Sequence, residues 1–170
     1  KQLQAFLILP VLAGVYLAAA PISLGKRFAH LFAALGSVIV AAGWWVAIVT
    51  LVPASARPYI GGSQTNDFLE LTLGYNGLGR LTGNETGSVT NGSGAHWGGT
   101  GLDRLFSGDI GAQVTWLMFA ALAMTGISLW LMRREPRTSP QRATLLLLAG
   151  TMIHTAVAFS LMAGIFHAYY

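Results

Sequence analysis

The chain has 170 residues, of which 54% are hydrophobic and only 9% charged, and its mean hydropathy is +0.57. A soluble domain carries about a quarter of its residues as charged groups, so this composition belongs to a chain whose solvent is a bilayer. The net charge of +4 does not point to nucleic acid, since Arg133, Arg134, Arg137 and Arg142 cluster beside apolar runs, where basic residues record topology; the lack of cysteine excludes disulfides and thiolate metal sites.

Four apolar stretches follow one another along the chain. Residues 4–20 contain the uncharged run Ala5 to Ala20, interrupted by Pro10 and slightly short of the ~20 residues that cross a bilayer. Its flank, Lys1 and Gln2, is not the basic region of a signal peptide, so a spanning helix is expected. Residues 28–52 hold only His30 as a titratable group and end near Trp44 and Trp45, aromatic rings of the kind that favour the membrane interface. Residues 112–132 and 143–166 are two further runs without charge. The expected fold is therefore all-α and integral to the membrane, with about four transmembrane helices.

Orientation follows from the basic residues of the short connections. Lys26 and Arg27 fall between the first two spans, and the four arginines of 133–142 between the last two, which makes both short loops cytoplasmic. The long connection, residues 53–111, is then extracytoplasmic, and its three arginines against five acids fit a translocated loop. Its first half is expected to be ordered, with Asp67 to Leu73 forming two helical turns, Asn66 or Asp67 as N-cap and Gly74 as stop. The second half, Gly83 to Gly101, is so rich in Gly, Ser, Thr and Asn that it buries too little surface to offset chain entropy, and a mobile flap is expected. The triplets at Asn84 and Asn91 match a glycosylation acceptor pattern that arises often by chance in such sequence.

Two motifs in the first half of this loop, RPYIGGS (57–63) and GYNGLGRLTG (74–83), carry a resemblance. They resemble the extracytoplasmic loop of a bacterial branch of glycosyltransferase family 39, GT-C type membrane enzymes akin to protein O-mannosyltransferases and aminoarabinose transferases. The opening KQLQAFLILPVLAGVYLAAAP resembles the span before that loop. The closing FSLMAGIFHAYY resembles an FxxGIFHPYY ending, with Ala168 where the pattern has proline. The resemblance implies an internal portion of a longer enzyme of the bacterial inner membrane, whose catalytic aspartate lies outside these residues, so that no catalytic residue is expected here and the portion alone is inactive. It also implies a polyprenyl-phosphate-linked sugar as donor, an extracytoplasmic acceptor, and inversion at the anomeric carbon as the lipid phosphate leaves.

Such chemistry needs cationic or amide donors for the leaving phosphate, an apolar groove for the lipid and a general base for the acceptor. Arg57 and Arg80 offer guanidinium forks suited to phosphate, and Tyr59, Tyr75, Asn66 and Asn76 offer stacking and hydrogen bonds to a sugar. His167, at the outward end of the last span, falls level with the same loop. Each has a plainer role: Arg57, Tyr59 and Tyr75 as interfacial anchors, the glycines as turns, Asp67 and Glu70 as a solvated helix face or partners of the helix dipole. His154, mid-span, is expected to hydrogen-bond a neighbouring helix, while His96 and Trp97 belong to the flap. No spacing signature supports a metal site, and no cofactor is expected. Two other classes fit four spans and an outward loop: a transporter or channel subunit, which would place ionisable groups near the membrane midplane, and a non-catalytic scaffold binding a partner through the flap.

Overall fold

The computed structural model describes residues 3–83, 99–108 and 111–164, and the side chains of these other than Tyr75, Asn76 and Val114. Helices are the only regular elements among them. A 3-10 turn, Leu3–Phe6, leads into α1 (Leu9–Ala19), which carries Pro10 at its start, where a missing N–H costs nothing. Helix α2 (Leu24–Leu51) follows after four residues. The middle connection holds α3 (Phe68–Leu73), a π turn at Gly74–Leu78, α4 (Gly79–Thr82) and a 3-10 turn at Arg104–Phe106. A second π turn (Gly111–Thr115) precedes α5 (Leu117–Leu131), and α6 (Pro140–Leu161) ends the described part.

Three stretches are long and apolar enough to cross a membrane: Leu24–Leu51, Leu117–Arg134 and Pro140–Leu161. The stretch Leu3–Ala19 is apolar but shorter, because its first turn is 3-10 and the α-helix proper has 11 residues, about 16 Å at 1.5 Å per residue. The other three elements are also offset from the sequence expectation. Helix α2 starts at Leu24 behind the N-cap position Ser23, so Lys26 and Arg27 lie in its first turn rather than in the preceding loop. Helix α6 starts at Pro140, takes in Arg142 and ends at Leu161, while α5 starts only at Leu117 because the π turn precedes it. Hydropathy marks the apolar part of a helix; lysine and arginine are good helix formers, and the helix continues through them.

Helices α1 and α6 run antiparallel. At one end Arg137, just before α6, reaches the last carbonyls of α1, and at the other Leu3 and Leu7 share a pocket with Phe159 and Met162. Between these ends a Cβ on Gly150 would stand 2.9 Å from Val11 Cγ1, so the absence of a side chain there sets how closely the two helices approach. Tyr16 and His30 join α1 to α2 through a 2.6 Å hydrogen bond. Large apolar side chains along α2, among them Phe32, Val40 and Leu51, are exposed, an arrangement stable in hydrocarbon or against another apolar surface but not in water.

Arg27, in the first turn of α2, and Arg137, in the connection before α6, converge on the C-terminus of α1. Arg27 is buried and donates to the carbonyls of Leu17 and, at 2.9 Å, Ile22. Arg137 Nη1 donates to Ala18 O at 3.0 Å and Ala20 O at 3.2 Å. The carbonyls of Leu17, Ala18 and Ala20 belong to the end of α1, where a helix leaves carbonyls without internal partners, and a cation there also meets the negative end of the helix dipole; Ile22 lies in the connection that follows. The two basic connections therefore lie at the same end of the molecule, with the middle connection at the opposite end.

Candidate functional site

Local hydrogen bonds build the first half of the middle connection. Asp67 caps α3, its Oδ1 accepting from Leu69 N at 2.6 Å and Glu70 N at 3.3 Å. Glu70, one turn on, reaches back and accepts from Gln64 N, Thr65 N (both 2.9 Å) and the Thr65 hydroxyl (2.6 Å). The Thr65 hydroxyl foremost, then the amides of Thr65 and Gln64, hold the Glu70 carboxyl below its ordinary value. Asn66, at φ 56°, accepts from Ile60 N through Oδ1 at 2.6 Å and donates to Ala54 O at 3.3 Å. Phe68 is buried with its ring edge-on to Trp45 of α2, centroids 4.9 Å apart, which seats the whole segment on the end of that helix.

The glycine motif forms the second layer. Helix α3 hands over at Gly74 to the π turn, and Gly77 passes so close to it that a Cβ would overlap the Thr72 carbonyl oxygen and stand 2.7 Å from Leu3 Cδ1. No other residue fits at 77 without moving backbone. Helix α4 then closes on Gly83, whose left-handed φ of 81° is a standard helix stop. The carbonyls of Arg80 and Leu81 accept from Gly164 N (2.8 Å) and Ala163 N (3.0 Å), pinning the motif to the chain just beyond α6.

The glycine motif borders a pocket of about 120 Å³, lined from three parts of the chain. Leu3, Gln4 and Leu7 form one wall, Gly77, Leu78, Arg80 and Leu81 a second, and Ala158, Phe159 and Met162 of α6 and its end the third. The lining is apolar apart from Gln4 and Arg80. An apolar slot with an arginine among its lining residues suits an amphiphile with an anionic head and a hydrocarbon tail.

The return arm of the connection supports the third wall. Arg104 is buried, and its Nη1 donates to Met162 O at 2.6 Å and Phe159 O at 3.2 Å, capping the C-terminus of α6; Gly101 N adds a bond to Ser160 O at 2.9 Å. Burial pushes the Arg104 guanidinium below its ordinary value, though arginine keeps its charge at any physiological pH. Leu105 packs on Met162, beside Ala156 and Phe159.

The sequence-derived candidates separate in this geometry. Arg80 lines the pocket. Arg57 lies in the turn after α2, with Nε and Nη1 enclosed and without a hydrogen-bond partner among the described residues. An enclosed cationic donor is costly unless it meets an acceptor, and Arg57 is not among the residues that line the pocket. Asn66 is engaged at both ends of its amide by the loop itself, and Tyr59 stands 76% exposed, with no described ring beside it to complete a sugar slot. Asp67 and Glu70 serve the loop as cap and clamp. The side chains of Tyr75 and Asn76 lie outside the described residues, as do His167, His96, Trp97, the Asn84 and Asn91 triplets and most of the expected flap. His154 is half-buried and makes no hydrogen bond among the described residues, so the expected bond to a neighbouring helix is not seen there. No cluster of three or more potential metal ligands occurs among the described residues. Sequence reasoning missed Gln4 and Arg104: a glutamine in an opening turn and an arginine in a Gly/Ser-rich connection carry no local signal.

Over 87 residues, 51% of its length, the chain is 48% identical to "Putative mannosyltransferase YkcB" of Bacillus subtilis (strain 168). Over 99 residues, 58% of its length, it is 40% identical to "Putative mannosyltransferase YycA" of the same organism. The aligned parts make up 12% and 14% of those proteins, so the chain spans about an eighth of the length of the curated relatives it matches. No family model and no solved structure matches. The two relatives support a glycosyltransferase, and the apolar helices a membrane-embedded one.

Proposed function

We propose that this chain is part of a family 39-like, GT-C type membrane mannosyltransferase that takes its sugar from a polyprenyl-phosphate donor and passes it to an extracytoplasmic acceptor. The observation that carries the reading is the apolar pocket with Arg80 on its wall at the end of the molecule opposite the basic connections. In this reading the isoprenoid nearest the phosphate lies along Leu7, Leu81 and Phe159, and the Arg80 guanidinium meets the phosphate. As the sugar–phosphate bond breaks, negative charge grows on the departing oxygen, and a fixed cation in an apolar wall stabilises that charge more than it would in water. The general base for the acceptor hydroxyl lies outside these residues, and the protein sits in the bacterial inner membrane with residues 53–111 outward. The names of the two relatives support mannosyl transfer; the pocket's chemistry supports the lipid-phosphate donor.

The test uses membranes containing the full-length parent protein, a panel of polyprenyl-phosphate sugars, and release of sugar from lipid as readout. Release that depends on the parent and falls sharply in Arg80→Ala at equal protein level is the expected result. Release untouched by Arg80→Ala would remove the pocket from the site, and no release with any donor would overturn the transferase reading.

A further inference from the structure

Arg104 belongs to no motif, yet it lies within three contacts of Arg80. Its Nη1 holds Met162 O at 2.6 Å; the next two residues, Ala163 and Gly164, donate their N–H groups to Leu81 O (3.0 Å) and Arg80 O (2.8 Å). Its other acceptor is Phe159 O, and both Phe159 and Met162 line the pocket. Residues 159–164 are thus clamped from two sides, by Arg104 and Gly101 on one and by the Arg80 and Leu81 carbonyls on the other.

We infer that Arg104 is a positioning residue for the pocket: by fixing the carbonyls of Phe159 and Met162 it sets the third wall and, through Ala163 and Gly164, the backbone that carries the Arg80 guanidinium. Its role toward the donor rests on the reading of the pocket given above. A buried guanidinium suits the task, because its fixed fork addresses two carbonyls from one nitrogen while its charge stays in place at every physiological pH. A neutral side chain of similar length would leave both carbonyls at the helix end without their donor and free the segment that leads back to Arg80. The enclosure of Arg104, at 4% exposure, leaves it no room to touch a ligand directly, so its effect passes through the wall it holds.

The test compares Arg104→Ala and Arg104→Lys in the full-length parent, with Thr144→Ala as control, a change at the far end of α6 where the hydroxyl bonds Pro140 O. The first readout needs no donor. The 170 residues contain no cysteine, so Met162→Cys, in a parent cleared of any other cysteine, reports the wall through its rate of maleimide labelling. Met162 is 6% exposed, and labelling is expected to rise about tenfold or more in Arg104→Ala, less in Arg104→Lys, and not in Thr144→Ala. The second readout is kinetic, with polyprenyl-phosphate mannose as donor. KM is expected to rise about tenfold in Arg104→Ala with kcat within about threefold, and Arg104→Lys is expected to recover part of the loss. Unchanged labelling in Arg104→Ala would overturn the inference whatever the protein's activity, as would a loss confined to kcat. Raised labelling in a parent that turns over no donor would uphold Arg104 as the residue that holds the wall while removing the transferase reading.

Discussion

Arg27 and Arg137 at the basic end make the same kind of contact as Arg104 at the opposite end, a guanidinium donating to a carbonyl at the end of a helix. Around the first pair α1 ends and the chain turns, and the neighbouring Arg133 lies over the ring of Trp130, 4.2 Å from its centroid, as an interfacial anchor does. Around Arg104 the capped helix end is one wall of a pocket, and Arg80 is on another. The contrast teaches that the role of an arginine in a membrane protein is set by what its helix end adjoins. The same bond secures topology at one end and shapes a cavity at the other.

Substitutions at the two ends can sharpen or break that contrast. The largest effect is expected from Arg80→Ala, a drop in donor turnover of about 100-fold or more with protein level unchanged, by analogy with loss of one charge-stabilising donor; a change under about threefold would erase the distinction between the ends. Gly77→Ala comes next. Its Cβ has nowhere to go between Thr72 and Leu3, and a loss of about 3 kcal/mol or more in stability is expected, read as the midpoint of unfolding of the detergent-solubilised parent. At the basic end, Arg27→Ala is expected to cost about 1.5–3 kcal/mol by the same measurement while leaving the donor KM unchanged, because it strips a charged donor from a carbonyl at the end of α1 and one in the turn after it, far from the pocket. A raised KM there would break the contrast. Asp67→Ala, which removes the α3 cap, is expected to cost about 1 kcal/mol, seen as faster proteolysis within residues 60–70.

The smallest effect is the acid response of the Glu70 clamp. Its carboxyl sits below the ordinary 4.5, so the contribution of the ionised form is complete above that value and fades as pH falls through the lower folded-state value. Proteolysis of the 60–70 segment should therefore accelerate below about pH 4.5 in the parent, and Glu70→Gln should remove that acid-dependent step.

Much of this was legible in the sequence because it is local. Apolar runs identify helices that a bilayer accepts, and the basic residues beside them mark two connections whose Arg27 and Arg137 both reach the end of α1. The Asp67 to Leu73 pattern carries its own cap and stop, and α3 stands there with Asp67 at its N-cap. Helix limits moved by several residues, since hydropathy is blind to lysines and arginines that continue a helix beyond the hydrocarbon.

The pocket was decided by packing alone. Residues 3–7, 77–81 and 158–162 have no mutual signal in the chain, and only the antiparallel pairing of α1 with α6 and the close turn at Gly77 bring them to one place. That step also sorted the polar groups. Asn66, Asp67 and Glu70 had to satisfy the backbone of their own loop, whereas Arg80 was carried to an apolar wall and Arg104 to the carbonyls beneath it. Solvent preference is a property of each residue and so is written in the sequence; which acceptor a donor meets depends on segments far apart in the chain, and that belongs to the tertiary structure.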